Sequence, residues 1–393
     1  MKLFISILLF LSFLVGSYLG DDYRKIHSDA IVVDTHNDVV QRMLKGEDIS
    51  FRTTTGHSDL ERFREGGIDI QFFSIWVPPQ QTKTSYFNQA IDQINCIESF
   101  VNKNSDKVAL AKNSDDINKF IKDGKFIVML GMEGGHPLDD DISKLVYFYN
   151  RGVRYLTLTW NNSTSWATSA MDEEQDSSRK MKKGVSPFGK KIIQKMNELG
   201  MIIDVSHLGE KAFWDVIQTT KKPVIASHSC VWALCPNRRN LKDEQIKAIA
   251  KTGGAVFINF AAIFVDSTFA RKEKILRERN KTRIDSFRTV QTKDESLKSI
   301  SVEQLLRNEY LEIRPPLSKL IDHIDYIAKL VGTDYIGLGS DFDGISVTPL
   351  EMDDVSYIPN ITRELLKRGY SVEDIKKILG DNFLRILKSV EVN

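Results

Sequence analysis

Ile31-Val32-Val33-Asp34-Thr35-His36-Asn37-Asp38 is the stretch on which the reading of this chain turns. A short run of β-branched residues ends abruptly in titratable groups. The unbroken apolar start, Ile31–Asp34, has no solvent-facing side, which is the pattern of a strand covered on both faces. Seven further runs repeat it: Ile68–Ile75, Phe126–Met132, Val153–Leu158, Met201–Asp204, Val224–Ala226, Ala255–Asn259 and Tyr335–Leu338. Amphipathic stretches separate them. Eight buried parallel strands alternating with helices in one chain of 393 residues predict an α/β fold, a (β/α)8 barrel of the TIM type.

The helices carry their own punctuation. Ser186-Pro187 supplies an N-cap and an N1 proline for Phe188–Leu199, and Gly200 stands where a C′ residue belongs. Ser371 and Asp374 form a capping-box-like start for Val372–Leu379, which Gly380 is expected to close. Asp172–Lys183 reads as a polar loop. Asp266–Arg314 reads as a long, charge-dense helical insertion between the seventh and eighth strands, ending at Pro315-Pro316. With no internal repeat, residues 24–391 are expected to form one barrel domain.

Composition narrows the setting. Lys+Arg 54 against Asp+Glu 53 leaves a net charge of +1, so no global field favours nucleic acid. Lys2 precedes an apolar run, Leu3–Val15, of secretory rather than membrane-spanning length, so residues 1–17 are expected to be a signal peptide and the protein secreted or periplasmic. Cys96, Cys230 and Cys235 are too few for a disulfide framework and contain no CxxC pair. The polar C-terminus argues against a lipid anchor.

Catalytic groups of a (β/α)8 barrel sit at the carboxyl ends of its strands. Here those ends read Asp34-Thr35-His36-Asn37-Asp38, Gly131-Met132-Glu133-Gly134-Gly135-His136, Asp204-Val205-Ser206-His207, Ser227-His228-Ser229 and Gly339-Ser340-Asp341-Phe342-Asp343-Gly344. Imidazole and carboxylate without useful cysteine suit a catalytic Zn²⁺ or a similar divalent ion. His36 and Asp38, at i and i+2 of an extended backbone, face the same way. Six candidates, His36, Asp38, Glu133, His207, His228 and Asp341, are too many for one open site. Two ions bridged by Glu133 use them sensibly, with His36 and Asp38 on one, His207 and His228 on the other, and Asp341 left as general base and proton donor.

With those residues in order the chain resembles the membrane (renal) dipeptidases, dinuclear zinc hydrolases of the amidohydrolase superfamily. The resemblance rests on DTHND at 34–38, GMEGGH at 131–136, RYLTLTWNN at 154–162, DVSH at 204–207, SHS at 227–229, NRRN at 237–240 and GSDFDG at 339–344, nearly the whole chain after residue 25. It implies two Zn²⁺ ions per chain, held by His36, Asp38, Glu133, His207 and His228, with Asp341 as acid/base. It also implies Arg239 as the group that grips a dipeptide's C-terminal carboxylate, for which a guanidinium fork is well suited. One departure stands out. Trp160 occupies the position where the best-known members carry a histidine that helps hold substrate; an indole donates one hydrogen bond but carries no charge. Dipeptides are the implied substrates, and homodimer formation stays open.

Two other readings compete. A metallo-lactonase or phosphotriesterase on the same barrel would usually bridge its metals with a carboxylated lysine, and no strand-end lysine is evident. A non-catalytic binding protein would have no reason to retain both the ligand set and Asp341. The remaining histidines have plainer roles: His136 is expected to support the Glu133 loop, and His27, His57 and His323 to be surface or structural. Trp76, Trp160 and Trp166 are expected near the pocket or packed in its wall.

Overall fold

The computed structural model describes residues 23–79, 84–176, 181–292 and 300–392; the expected signal peptide lies outside them. Among the described residues nine parallel strands are present: β1 Val33–Asn37, β2 Ile70–Trp76, β3 Val108–Leu110, β4 Phe126–Glu133, β5 Val153–Thr157, β6 Ile202–Asp204, β7 Val224–Ser229, β8 Ala255–Ile258 and β9 Ile336–Leu338. Eight of them correspond to the eight apolar runs. The order β2-β1-β9-β8-β7-β6-β5-β4, closed by β2 against β4, makes the (β/α)8 barrel.

The ninth, β3, has no counterpart among the apolar runs. Its Ala109 and Leu110 pair with Ile127 and Val128 at the start of β4, on the edge that β5 takes over from Leu130 onward. With only three residues it carries too little pattern to be distinguished from a loop. Several staves also run further than their apolar cores. β7 continues through Ser227-His228-Ser229 and β1 through His36-Asn37, so the polar ends remain inside the ladder and are held by it.

Two apolar layers hold the barrel. Outside it, strand residues pack on the helices. Inside, Val33, Ile70, Phe72, Ile127, Met129 and Tyr155 meet Phe383 and Leu387 from the C-terminal helix Asn382–Val390, which plugs the bottom of the barrel. Phe72 and Phe383 meet edge to face at 5.1 Å. With the bottom plugged, the open end is the one carrying the polar strand ends.

Helix Pro187–Leu199 has the predicted caps: the Ser186 hydroxyl accepts from the Gly189 N–H, and Gly200 adopts φ 76°. Gly380 does not end its helix. Val372–Lys376 passes through a π-turn, Lys377–Asp381, into Asn382–Val390. A Cβ at Gly380 would lie 2.1 Å from the Ile31 carbonyl oxygen, so the glycine serves close passage over the chain entering β1. The stretch expected as a polar loop begins as a short helix, Ala170–Gln175, capped by Ser169. The described part of the insertion between β8 and β9 is helical, chiefly Phe269–Arg279 and Lys281–Gln291. Phe269, Leu276, Ile284, Leu306 and Tyr310 give it a small core of its own. The Ala262 N–H donates to the Val347 carbonyl at 2.9 Å, which ties its first turn to the loop after β9.

Candidate metal centre

Barrel closure brings the five predicted ligands and Asp341 to one mouth. Glu133, the last residue of β4, lies at its centre. Its Oε2 is 3.6 Å from His36 Nε2, which is itself 3.6 Å from Asp38 Oδ2. Its Oε1 is 2.9 Å from His207 Nε2 and 3.4 Å from His228 Nε2. One carboxylate thus faces two separate sets of donors. Ligand atoms of His36, Asp38 and Asp341 all fall within 4.8 Å of one another, as do those of His36, Glu133 and His228.

What lies behind each imidazole sets its tautomer. The Tyr155 hydroxyl donates to the Thr35 carbonyl at 3.0 Å, so at 2.9 Å it accepts from His36 Nδ1–H. The Ser227 hydroxyl donates to Asp204, so it accepts from His228 Nδ1–H at 2.8 Å. The Asn161 amide oxygen faces His207 Nδ1 at 3.2 Å and can only accept. The neutral rings of His207 and His228 therefore direct an Nε2 lone pair at Glu133, and His36 turns its Nε2 to the same carboxylate, the orientation that metal-ligating histidines adopt. His36 Nε2 and Asp38 Oδ1 are buried without a hydrogen-bond partner. These donors fit a divalent cation.

Electrostatics agree. Burial, then the Arg239 guanidinium, pushes His207 down to about 4, and burial with His36 holds His228 well below the usual imidazole range. Both rings stay neutral. Burial also opposes charge on His36, but Tyr155, Glu133 and Asp38 outweigh it and raise its pKa. Glu133 is held well below the carboxylate range, its burial outweighed by the histidines. The cluster's field retains positive charge, as a cation site must. Burial, reinforced by Asp38 and Glu133, pushes Asp341 up to about 8.

The loop after β9 is built around that carboxylate. Asp341 and Asp343 adopt φ 63° and 64°, conformations that need external support. The Asp341 N–H donates to the His36 carbonyl at 3.1 Å, and Arg42 and the His57 N–H hold the Asp343 carboxylate. Asn259 Nδ2 donates to Asp341 Oδ2 at 2.8 Å. A Cβ at Gly344 would lie 2.1 Å from Asp38 Oδ2 and 2.5 Å from Asp341 Oδ1, so only glycine leaves room for both carboxylates.

Above the cluster opens a cavity of about 460 Å³, lined by Trp76, Trp160 and Arg239 and, from the insertion, by Phe269, Glu273 and Glu303. Arg239 is buried. Its Nη2 donates to the His228 carbonyl at 3.1 Å, its guanidinium lies 5.6 Å from the centre of the Phe264 ring, and its Nη1 has no partner. Trp160 packs edge to face on Trp76 at 5.0 Å and stands 6.3 Å from the His207 ring. Trp166 is buried against Gly135 in the wall.

Other assignments divide. His27 and His323 are buried and bonded at both nitrogens, as structural residues are. His136 meets Asn162 Nδ2 at 2.7 Å and so ties the loop that follows Glu133 to the Trp160 loop. Sequence patterns miss Tyr155 and Asn259, which orient His36 and Asp341. Their only signal is a polar side chain inside or at the end of an apolar strand.

A parallel eight-stranded barrel whose strand ends gather imidazoles around a shared carboxylate defines the class of metal-binding (β/α)8 barrels. Within that class the chain belongs to the membrane dipeptidase family, Peptidase family M19, whose family model matches residues 21–393. It is similar to Dipeptidase 3 of Mus musculus, 29% identical over 370 residues, and to Dipeptidase 3 of Rattus norvegicus, 30% identical over 369 residues. These matches cover 92% of this chain and 65% and 66% of the relatives, so the chain spans just under two thirds of their length. Among solved structures, the probable dipeptidase PvdM from Pseudomonas aeruginosa matches with a TM-score of 0.78 at 26% identity, covering 95% of this chain and 98% of that one.

Proposed function

We propose that the protein is a zinc-dependent dipeptidase that holds two Zn²⁺ ions bridged by Glu133. The observation that carries the reading is the division of the Glu133 carboxylate, Oε2 toward His36 and Asp38 and Oε1 toward His207 and His228. A pair of bound ions supplies an acidified water and a Lewis acid for the peptide carbonyl. Glu133, His36, Asp38, His207 and His228 would hold that pair, and Tyr155, Asn161 and Ser227 behind the imidazoles engage each Nδ1 so that each Nε2 turns toward Glu133.

The substrate is positioned by Arg239. Its buried, unpartnered Nη1 offers a charge-assisted hydrogen bond to the C-terminal carboxylate of a dipeptide. Asp341, beside Asp38 and fixed by Asn259, takes the proton from the attacking water and returns it to the leaving amine. Trp160, with no charge to offer, shapes the cavity wall next to His207. A lactonase-type site with a lysine bridge has no support in the cavity, since no lysine lines it among the described residues.

The test uses the purified zinc-loaded protein with free-acid and C-terminally amidated dipeptides. The free acids should be cleaved and the amides should be poor substrates, the difference appearing in KM. Arg239→Lys keeps the charge but loses the fork, so it should weaken binding of the free acids and leave the amides little changed. Equal damage to both would make Arg239 structural and move the reading to another amide or lactone hydrolase.

A further inference from the structure

We infer that the cavity selects dipeptides whose C-terminal residue has an apolar side chain, with Phe264 and Ile263 as the residues that set the preference; this rests on the dipeptidase reading above. Arg239 fixes where the C-terminal carboxylate sits, and Phe264 is the ring against that guanidinium. The side chain on the residue bearing the carboxylate therefore leaves its Cα next to Phe264. The neighbouring cavity wall is apolar: Ala261, Ile263 and Phe269 from the segment after β8, Ile345 and Val347 from the loop after β9.

That wall is held rigidly. Asn259 Oδ1 accepts from the Ala261 N–H at 2.7 Å, Asn240 Nδ2 donates to the Phe264 carbonyl at 2.8 Å, and the Ala262 N–H is bonded to Val347. Asn259 thus serves two ends at once, its amide nitrogen orienting Asp341 and its oxygen placing the apolar wall. A wall fixed at both strand ends presents its apolar surface without reorganising, so desolvation of a fitting side chain appears as binding.

Charged side chains fare worse there. An acidic one would face the carboxylates of Glu273 and Glu303 across the cavity. A basic one would meet carboxylates whose charge is already compensated, since Arg277 pairs with both and the Tyr310 hydroxyl donates to Glu273 at 2.7 Å. Ile263 is the accessible part of the wall, 38% exposed at the rim.

The experiment compares Gly-Leu, Gly-Phe, Gly-Lys and Gly-Glu with the zinc-loaded full chain. Gly-Leu and Gly-Phe should exceed the two charged dipeptides by about 10- to 100-fold in kcat/KM, mostly through KM. Phe264→Ala should shrink that ratio at least about fivefold. Ile263→Lys, at an exposed rim where folding is not at stake, should raise Gly-Glu relative to Gly-Leu. A flat series, a lead for Gly-Lys, or an Ile263→Lys variant with an unchanged Gly-Glu to Gly-Leu ratio would overturn the inference. Failure to cleave any of the four would instead overturn the dipeptidase reading on which it rests.

Discussion

His207 and His228 present their Nε2 atoms to each other at 3.0 Å while each keeps its proton on Nδ1, against Asn161 and Ser227. Two imidazole lone pairs that close, with a carboxylate oxygen between them and the opposite ligand pair, are repulsive unless a cation sits among them. Metal binding is therefore expected to be coupled to stability.

Chelator treatment should lower the thermal midpoint by roughly 5–10 °C, and added Zn²⁺ should restore it. Elemental analysis should find about two ions per chain, from the two sets of donors on Glu133. A fully active preparation with one tightly held ion would contradict the bridged pair.

Tyr155 should matter without touching metal or substrate. Tyr155→Phe removes the oxygen that accepts from His36 Nδ1–H, and metal affinity should fall about 10- to 100-fold in chelator competition. The far-ultraviolet circular dichroism should be retained. Unchanged affinity would show that the hydroxyl does not orient the ring.

Asp341→Asn should reduce kcat by about 10²- to 10⁴-fold with metals still bound, since the amide keeps the shape but not the base. Asn259→Ala should give a smaller loss, about tenfold, by freeing the Asp341 carboxylate that it anchors. Steady-state kinetics with metal analysis distinguish these from loss of the ions.

Gly344→Ala puts a methyl group where Asp38 Oδ2 and Asp341 Oδ1 lie, while the glycine's backbone is outside the left-handed region. The fold should survive and zinc occupancy should drop toward one per chain, with the His36 and Asp38 side emptied. Full occupancy with normal activity would show that the carboxylates can yield.

Asp69 provides a pH test away from the site. Burial pushes its carboxyl up to about 6, while its Oδ2 accepts from the Val32 N–H at 2.8 Å. Because the folded pKa is raised, the native state binds more protons than the unfolded chain between about pH 4 and pH 6, so stability falls as pH rises through that window and levels off above it. Asp69→Asn keeps the acceptor without the charge. Relative to the parent it should gain roughly 2 kcal/mol between pH 4 and pH 7.5, measured by urea unfolding. A difference independent of pH would contradict the raised carboxyl.

Much of the fold and of the site is legible in the residues themselves. The eight continuous apolar runs announce the barrel because burial on both faces imposes a local pattern, and the polar groups at their ends stand out as candidate ligands because a barrel places its chemistry there. His36, Asp38, Glu133, His207, His228 and Asp341 can each be read from their own strand. The helix caps at Ser186 and Gly200 are equally local, since a cap is satisfied within a few residues.

Tertiary structure decided what depends on partners far along the chain. Tyr155 is 119 residues from the imidazole it orients, and Asn259 is 82 residues from Asp341. Gly380 has the sequence context of a helix stop and instead lets the helix pass the Ile31 carbonyl. His136 finds its partner, Asn162, 26 residues further along the chain. That Phe264 and Phe269 line the cavity follows from how the insertion folds back over the mouth. A sequence determines which groups are available through local patterns of burial and capping. Which lone pairs converge, and which walls face them, is set by the register in which β2 meets β4 to close the ring, a long-range packing outcome that no local propensity encodes.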